Sequence, residues 1–174
     1  MARILVTGGV RSGKSRHAES LLPSDAPVTY LTPGYPADYD PEWAARVAAH
    51  RLRRPPNWST VEALDLAAAL ADIEGPVLID CLGTWLTRLI DSWQAWDAGE
   101  AELADRVGAA TTELVNAVAG HADVVIVTNE VGWGVVPDHR AGRIFADNLG
   151  RINQAVAGVC DDVILMVAGR PLHV

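Results

Sequence analysis

The octet Gly8-Gly9-Val10-Arg11-Ser12-Gly13-Lys14-Ser15 fits G-x-x-x-x-G-K-[ST], and no other feature constrains the chain as much. The pattern sits between an apolar run, Ile4-Leu5-Val6-Thr7, and a helix-like segment over residues 14–22. Glycines let the backbone turn tightly enough for its N–H groups to converge on phosphate oxygens. A helix N-terminus beginning near Gly13 adds partial positive charge. In such a loop Lys14 reaches the β- and γ-phosphates and the Ser15 hydroxyl holds Mg²⁺. A chain of this length would carry the pattern by accident roughly 0.6% of the time, so a glycine-rich turn with a solvated lysine is the poorer reading. A nucleoside triphosphate handled for phosphoryl or nucleotidyl transfer is the expectation.

A phosphate loop needs a strand before it and a helix after it, and the rest of the chain repeats that alternation. Continuous, β-branched-rich apolar runs at residues 4–7, 28–32, 77–80, 124–128 and 163–167 suit strands buried on both faces of a parallel sheet. Helical segments are expected at 14–22, 41–52, 63–71, 84–93, 101–119 and 138–159. Asp40 is placed to cap the second of these, with Pro41 in its first turn. Loops marked by Pro or Gly fall at 33–39, 54–59 and 130–137. The fold class is therefore α/β, a three-layer P-loop NTPase-like arrangement with a mostly parallel central sheet. With 174 residues and no linker-like stretch, a single catalytic domain over 1–174 is expected.

The formal net charge of −8 argues against a general nucleic-acid binder. No apolar run approaches the roughly 18 residues of a membrane span. The amino terminus shows no leader pattern, and a cytoplasmic location is expected. Cys81 and Cys160 lie in no CxxC pair and read as core thiols.

Ligands of open α/β sheets bind at the carboxyl ends of the strands. The run Val77-Leu78-Ile79-Asp80 ends in a carboxylate suited to Mg²⁺, like a Walker B strand. Positive charge is concentrated after residue 41. Arg46, His50, Arg53 and Arg54 fall on one helical face, with Trp43 and Val47 anchoring a neighbouring face. Arginines can neutralise a triphosphate and disfavour protonation of His50, leaving its imidazole nucleophilic. From spacing alone, a solvated basic face with an incidental histidine is the better reading. His17 either lines the site or is solvated, and His121, His139 and His173 read as surface or cap residues.

The segment from Ile4 through Lys14-Ser15-Arg16-His17-Ala18-Glu19 resembles the adenosylcobinamide kinase / adenosylcobinamide-phosphate guanylyltransferase family. Similarity continues in Ala44-Ala45-Arg46-Val47 leading to His50, in Arg54-Pro55, Trp58 and Thr60-Val61-Glu62. It returns in Val127-Thr128-Asn129-Glu130-Val131-Gly132, Gly134, Pro137, Phe145, Asp147, Gly150-Arg151 and Asn153-Gln154. The resemblance implies a bifunctional enzyme of cobalamin assembly. It would phosphorylate adenosylcobinamide with ATP or GTP. It would then move GMP from GTP onto a histidine and on to adenosylcobinamide phosphate. That histidine corresponds to His50. The resemblance also implies a homotrimer and nucleotide contacts from residues 8–15, from Thr32, Pro33 and Gly34, from Arg51, Leu52, Arg53 and Arg54, and from Glu62 and Asp80. Glu62 could accept hydrogen bonds from a guanine edge; by itself it reads as a carboxylate at a helix start. Asn129 and Glu130 read equally as site residues or as a cap and a solvated acid.

Three positions depart from the pattern of some members: a single histidine after Ala49, a Pro33-Gly34 loop where hydroxyls are common, and Asp80 in place of Glu. Of the six tryptophans most read as core, whereas Trp133, inside a glycine-rich loop, is a candidate contact for the corrinoid. Two other readings stand beside this one. One is a P-loop kinase of another small metabolite that forms no nucleotidyl-enzyme. The other is a nucleotide-switched binding module, against which the lack of an Asn-Lys-x-Asp motif speaks.

Overall fold

Strong alternation along each apolar run decides which side of the sheet a residue faces. In β1 (Arg3–Gly8), Leu5 packs toward one side and Val6 toward the other. The same split separates Val77 and Ile79 from Leu78 in β4 (Val77–Asp80), and Val124 and Ile126 from Val125 and Val127 in β5 (Val124–Val127). All of these residues are buried, so the strands are covered on both faces, as their continuous hydrophobicity requires. The computed structural model describes residues 2–36, 39 and 41–174, with the backbone alone at 43, 46, 49, 50 and 53.

Seven described strands form one sheet in the order β3-β2-β4-β5-β1-β6-β7. Besides those above, these are β2 (Val28–Thr32), β3 (Trp58–Glu62), β6 (Asp162–Val167) and β7 (Arg170–His173). Every pairing is parallel except the last, where β6 and β7 make a hairpin. Among the described residues six helices connect them: α1 (Lys14–Ser20), α2 (Pro41–Arg53), α3 (Leu66–Ala71), α4 (Leu82–Ser92), α5 (Glu100–Gly120) and α6 (Arg140–Ala157). Leu66 and Leu70 of α3, Trp85, Leu86 and Ile90 of α4, Leu103 and Leu114 of α5 and Ile152 of α6 fill the larger core layer. Ala18 of α1 closes the smaller layer with Leu22 and Tyr30. The three-layer α/β expectation holds.

Two strands were not anticipated. Trp58–Glu62 is an edge strand whose middle residues are exposed, so its polar sequence gives little apolar signal. The start of the expected loop at 54–59 is therefore right, but its end belongs to β3. The helix expected from residue 63 begins instead at Leu66, where the Asp65 carboxylate accepts a 2.9 Å hydrogen bond from the Ala68 N–H. The last strand, β7, follows a two-residue turn at Ala168 and Gly169, both at positive φ, as a hairpin that follows the sheet's twist prefers. The α2 helix spans the expected segment, whereas Asp40, expected as its cap, and the Trp43 side chain lie outside the described residues.

Candidate active site

The phosphate loop is shaped by two close approaches. An ideal Cβ on Gly8 would lie 2.6 Å from Ser12 Oγ and 2.8 Å from the Met166 carbonyl oxygen. Gly13 has φ +93° and ends the loop where α1 begins. The Gly169 N–H donates to the Ser12 carbonyl at 3.0 Å, so the β6–β7 turn buttresses the loop from behind. Inside the loop the Lys14 ammonium rests on the Gly9 carbonyl at 3.1 Å. Ser12 Oγ is buried with no partner among the described residues, a hydroxyl in want of a ligand oxygen.

Parallel register brings the remaining candidates to the same edge. Gly8, Thr32, Glu62 and Asp80 each end a strand, with Thr32 beside Glu62 and Asp80 beside Val127. Thr32, Glu62 and Asp80 border a cavity of about 200 Å³ that Lys14 and Ser15 also line. The Ser15 hydroxyl and Asp80 carboxylate therefore share one space. Among the described residues no cluster of three or more His, Cys, Asp or Glu could hold a metal. One carboxylate and one hydroxyl beside a phosphate cradle nonetheless suit Mg²⁺, which takes few protein ligands and completes its shell with phosphate and water oxygens.

The opposite wall comes from α2. Val47, Arg51 and Arg54 line the cavity at helical spacing, and position 50 falls in the same stripe. The side chains of His50, Arg46 and Arg53 lie outside the described residues. Val47, expected on the neighbouring face, lines the cavity instead. Arg51 reaches Glu62 Oε1 at 3.4 Å. Arg54 donates to Thr60 Oγ1 at 3.1 Å, and its guanidinium lies 3.7 Å from the centre of the Tyr30 ring. The Tyr30 hydroxyl donates to Asp80 Oδ2 at 3.3 Å. Burial, and then the Asp80 charge, push the Tyr30 pKa well up, so the phenol keeps the proton it donates. Burial lowers the pKa of Arg54.

Not every expected residue reaches this space. Leu52 is 88% exposed and does not line the cavity, and buried Pro33 and Gly34 stand behind Thr32. Glu62 is the last residue of a strand and not a helix start. His17 does not line the cavity; it is half-buried, with its Nε2 buried and unpartnered among the described residues. Cys160 packs against the larger core layer as expected, its thiol pushed up to about 11 by burial. Cys81 packs against the smaller core layer, as expected, and also reaches the cavity wall, with Sγ 3.4 Å from Thr84 Oγ1. Burial and Asp80 raise its pKa, so it stays a thiol.

Arg88 and Tyr35 gave no signal in the sequence. Arg88 donates to the Gly34 carbonyl, and to that of Pro33 at 3.4 Å, thereby holding the loop after β2. Tyr35 lines the cavity, and its hydroxyl donates to Asp91. Asn153 donates from Nδ2 to the Asn129 carbonyl at 3.0 Å and pairs through Oδ1 with the Thr128 hydroxyl, fixing the chain just past β5.

Residues 4–174 match the family model described as cobinamide kinase / cobinamide phosphate guanyltransferase. The chain belongs to that family. Two relatives called bifunctional adenosylcobalamin biosynthesis protein CobU, from Escherichia coli K12 and Salmonella typhimurium LT2, are each 41% identical to it. Each match covers 95% of this chain and 96% of the relative. The bifunctional adenosylcobalamin biosynthesis protein CobP of Pseudomonas aeruginosa is 40% identical over 98% of this chain and 95% of its own length. Membership in this family thus spans the phosphate loop, the α2 arm and the strand edge between them.

Proposed function

We propose that this chain carries out both reactions of its family. It phosphorylates the aminopropanol hydroxyl of adenosylcobinamide with ATP or GTP, then transfers GMP from GTP to adenosylcobinamide phosphate, giving adenosylcobinamide-GDP. The observation that carries this reading is the shared cavity in which Lys14 and Ser15 meet Arg51 and Arg54 of the helix bearing His50. In the first step Lys14 and the loop amides of residues 8–15 stabilise charge on the transferred phosphoryl group. Mg²⁺, held by Ser15 and Asp80, would supply charge neutralisation between the phosphates. In the second step a neutral His50 ring nitrogen attacks the α-phosphorus of GTP and pyrophosphate leaves. A phosphate oxygen of the acceptor then attacks the phosphoramidate and frees His50. Arg51 and Arg54 face the departing pyrophosphate, and Thr32 and Glu62 contact the nucleoside. Trp133, 74% exposed and outside the cavity, is read as an outer contact for the corrin ring. The active species is read as a cytoplasmic homotrimer of single-domain chains.

The test uses GTP labelled at the α-phosphate, with Mg²⁺, followed by denaturation and acid. Label should survive denaturation, be released by acid, and be absent from His50→Ala, which should keep its cobinamide phosphorylation. Absence of label from protein that binds GTP would leave a P-loop kinase without nucleotidyl transfer.

A further inference from the structure

We propose that a second cavity, beside the nucleotide site, receives the hydroxyl arm of cobinamide, and that Glu130 accepts the proton of that hydroxyl during phosphorylation. The proposal rests on the kinase reading above. The cavity measures about 440 Å³ and lies between Val10 of the phosphate loop, the first turns of α4, and Glu130 and Val131 beyond β5. It shares Tyr35, Thr84 and Asn129 with the nucleotide cavity, so the two spaces meet along one wall.

Position along the loop assigns the occupant. Lys14, which serves the β/γ end of a triphosphate, rests on the Gly9 carbonyl, immediately before Val10. Lys14 and, of the α2 arginines with described side chains, Arg51 and Arg54 line only the first cavity; a γ-phosphoryl group held near Gly9 and Val10 would then meet the second cavity across the shared wall. An in-line displacement needs its nucleophile on that side. Among the described residues no Lys or Arg lines the second cavity. It suits a neutral alcohol and not a second polyphosphate. Val10, Val131 and Phe145 offer apolar surface for the arm, and exposed Val10 marks the rim over which the larger corrin ring would extend.

Glu130 is the sole carboxylate lining this space among the described residues. Its N–H donates to the Gly8 carbonyl at 3.1 Å, and its Oε2 accepts the Thr7 hydroxyl at 3.2 Å. Both bonds tie it to the end of β1, the strand that carries the phosphate loop. Asp80 is engaged by Tyr30, and Glu62 by Arg51. In the step itself the acceptor O–H bond breaks and its proton passes to the Glu130 carboxylate. The oxygen bonds to the γ-phosphorus, the bond from that phosphorus to the β-phosphate oxygen breaks, and the nucleoside diphosphate leaves. Glu130 then returns the proton to solvent.

The experiment compares wild type, Glu130→Gln and Val131→Trp in two assays: steady-state cobinamide phosphorylation, and labelling by α-labelled GTP without acceptor. Glu130→Gln should lose about 100-fold or more in phosphorylation kcat and keep wild-type labelling. Val131→Trp, which fills the cavity from a loop, should raise the cobinamide KM at least tenfold with the nucleotide KM unchanged. The assignment is overturned if Glu130→Gln phosphorylates within threefold of wild type or loses both activities together. It is equally overturned if Val131→Trp leaves the cobinamide KM unmoved. A wild type that labels but phosphorylates no cobinamide would remove the kinase reading itself.

Discussion

At Gly8 one methyl group decides whether the phosphate loop can close. The Met166 carbonyl that a Cβ would strike belongs to β6 and is paired in register with Gly8, so it has no freedom to retreat. Gly8→Ala should destabilise the protein by about 1–3 kcal/mol, the usual range for overpacking, read as a lower urea midpoint with an unchanged slope. A midpoint equal to wild type would show that the loop can shift to make room. Such residues were legible because the octet is contiguous and its chemistry is local. Arg88 was not: its contacts with the Pro33 and Gly34 carbonyls cross more than fifty positions of sequence, and only the fold brings them together. The core packing of Cys81 was legible, but its second role was hidden for a related reason. An apolar strand predicts burial through Asp80, but not that the next residue turns into the cavity wall.

Among elements, apolar continuity revealed the five strands nearest the core and hid the two at the edges. Trp58-Ser59-Thr60-Val61-Glu62 is half polar because half of it meets water, and what makes it a strand is its parallel partner β2. Helix existence was legible throughout; helix starts were less so, as Asp65 moved the beginning of α3 by capping it. The start of the sheet is clamped by charge. Arg3, first in β1, donates from Nη2 to Asp161 Oδ1 at 2.8 Å and from Nε to Oδ2 at 3.2 Å, just before β6. These bonds hold Asp161 down at about 2. A carboxyl depressed in the folded state stabilises it above the unfolded pKa of roughly 3.9 and loses that contribution as pH falls through the folded value. Denaturation followed from pH 5 to pH 2 should therefore show a steeper loss for wild type than for Asp161→Asn below about pH 4. Parallel curves would mean that the pair contributes nothing.

For the molecule as a whole, strand order was the least legible property, because hydrophobic period reveals that a strand exists and not which strand lies beside it. The order β2-β4-β5-β1 sets Asp80 two strands from the phosphate loop and still on the same edge. A chain of net charge −8 thus presents Lys14, Arg51 and Arg54 around one cavity. GTP at a hundred times its Kd should add about 2.7 kcal/mol of stability, a Tm rise of roughly 5–11 °C for a chain of this size. Lys14→Ala should lose most of that rise at the same concentration; an equal rise would place the triphosphate elsewhere. The far edge of the sheet carries a different consequence. In the β6–β7 hairpin the pair next to the turn, Val167 and Arg170, shares the hydrogen bonds, so the following pair, Met166 and Pro171, turns its main-chain groups outward. His173, opposite Ile164, faces outward in the same way, so proline removes the first of the two donors that an incoming strand would meet along that rim. The hairpin that props the phosphate loop also weakens the foothold offered to neighbouring chains, a partial guard against fibrous self-association at the border of the sheet.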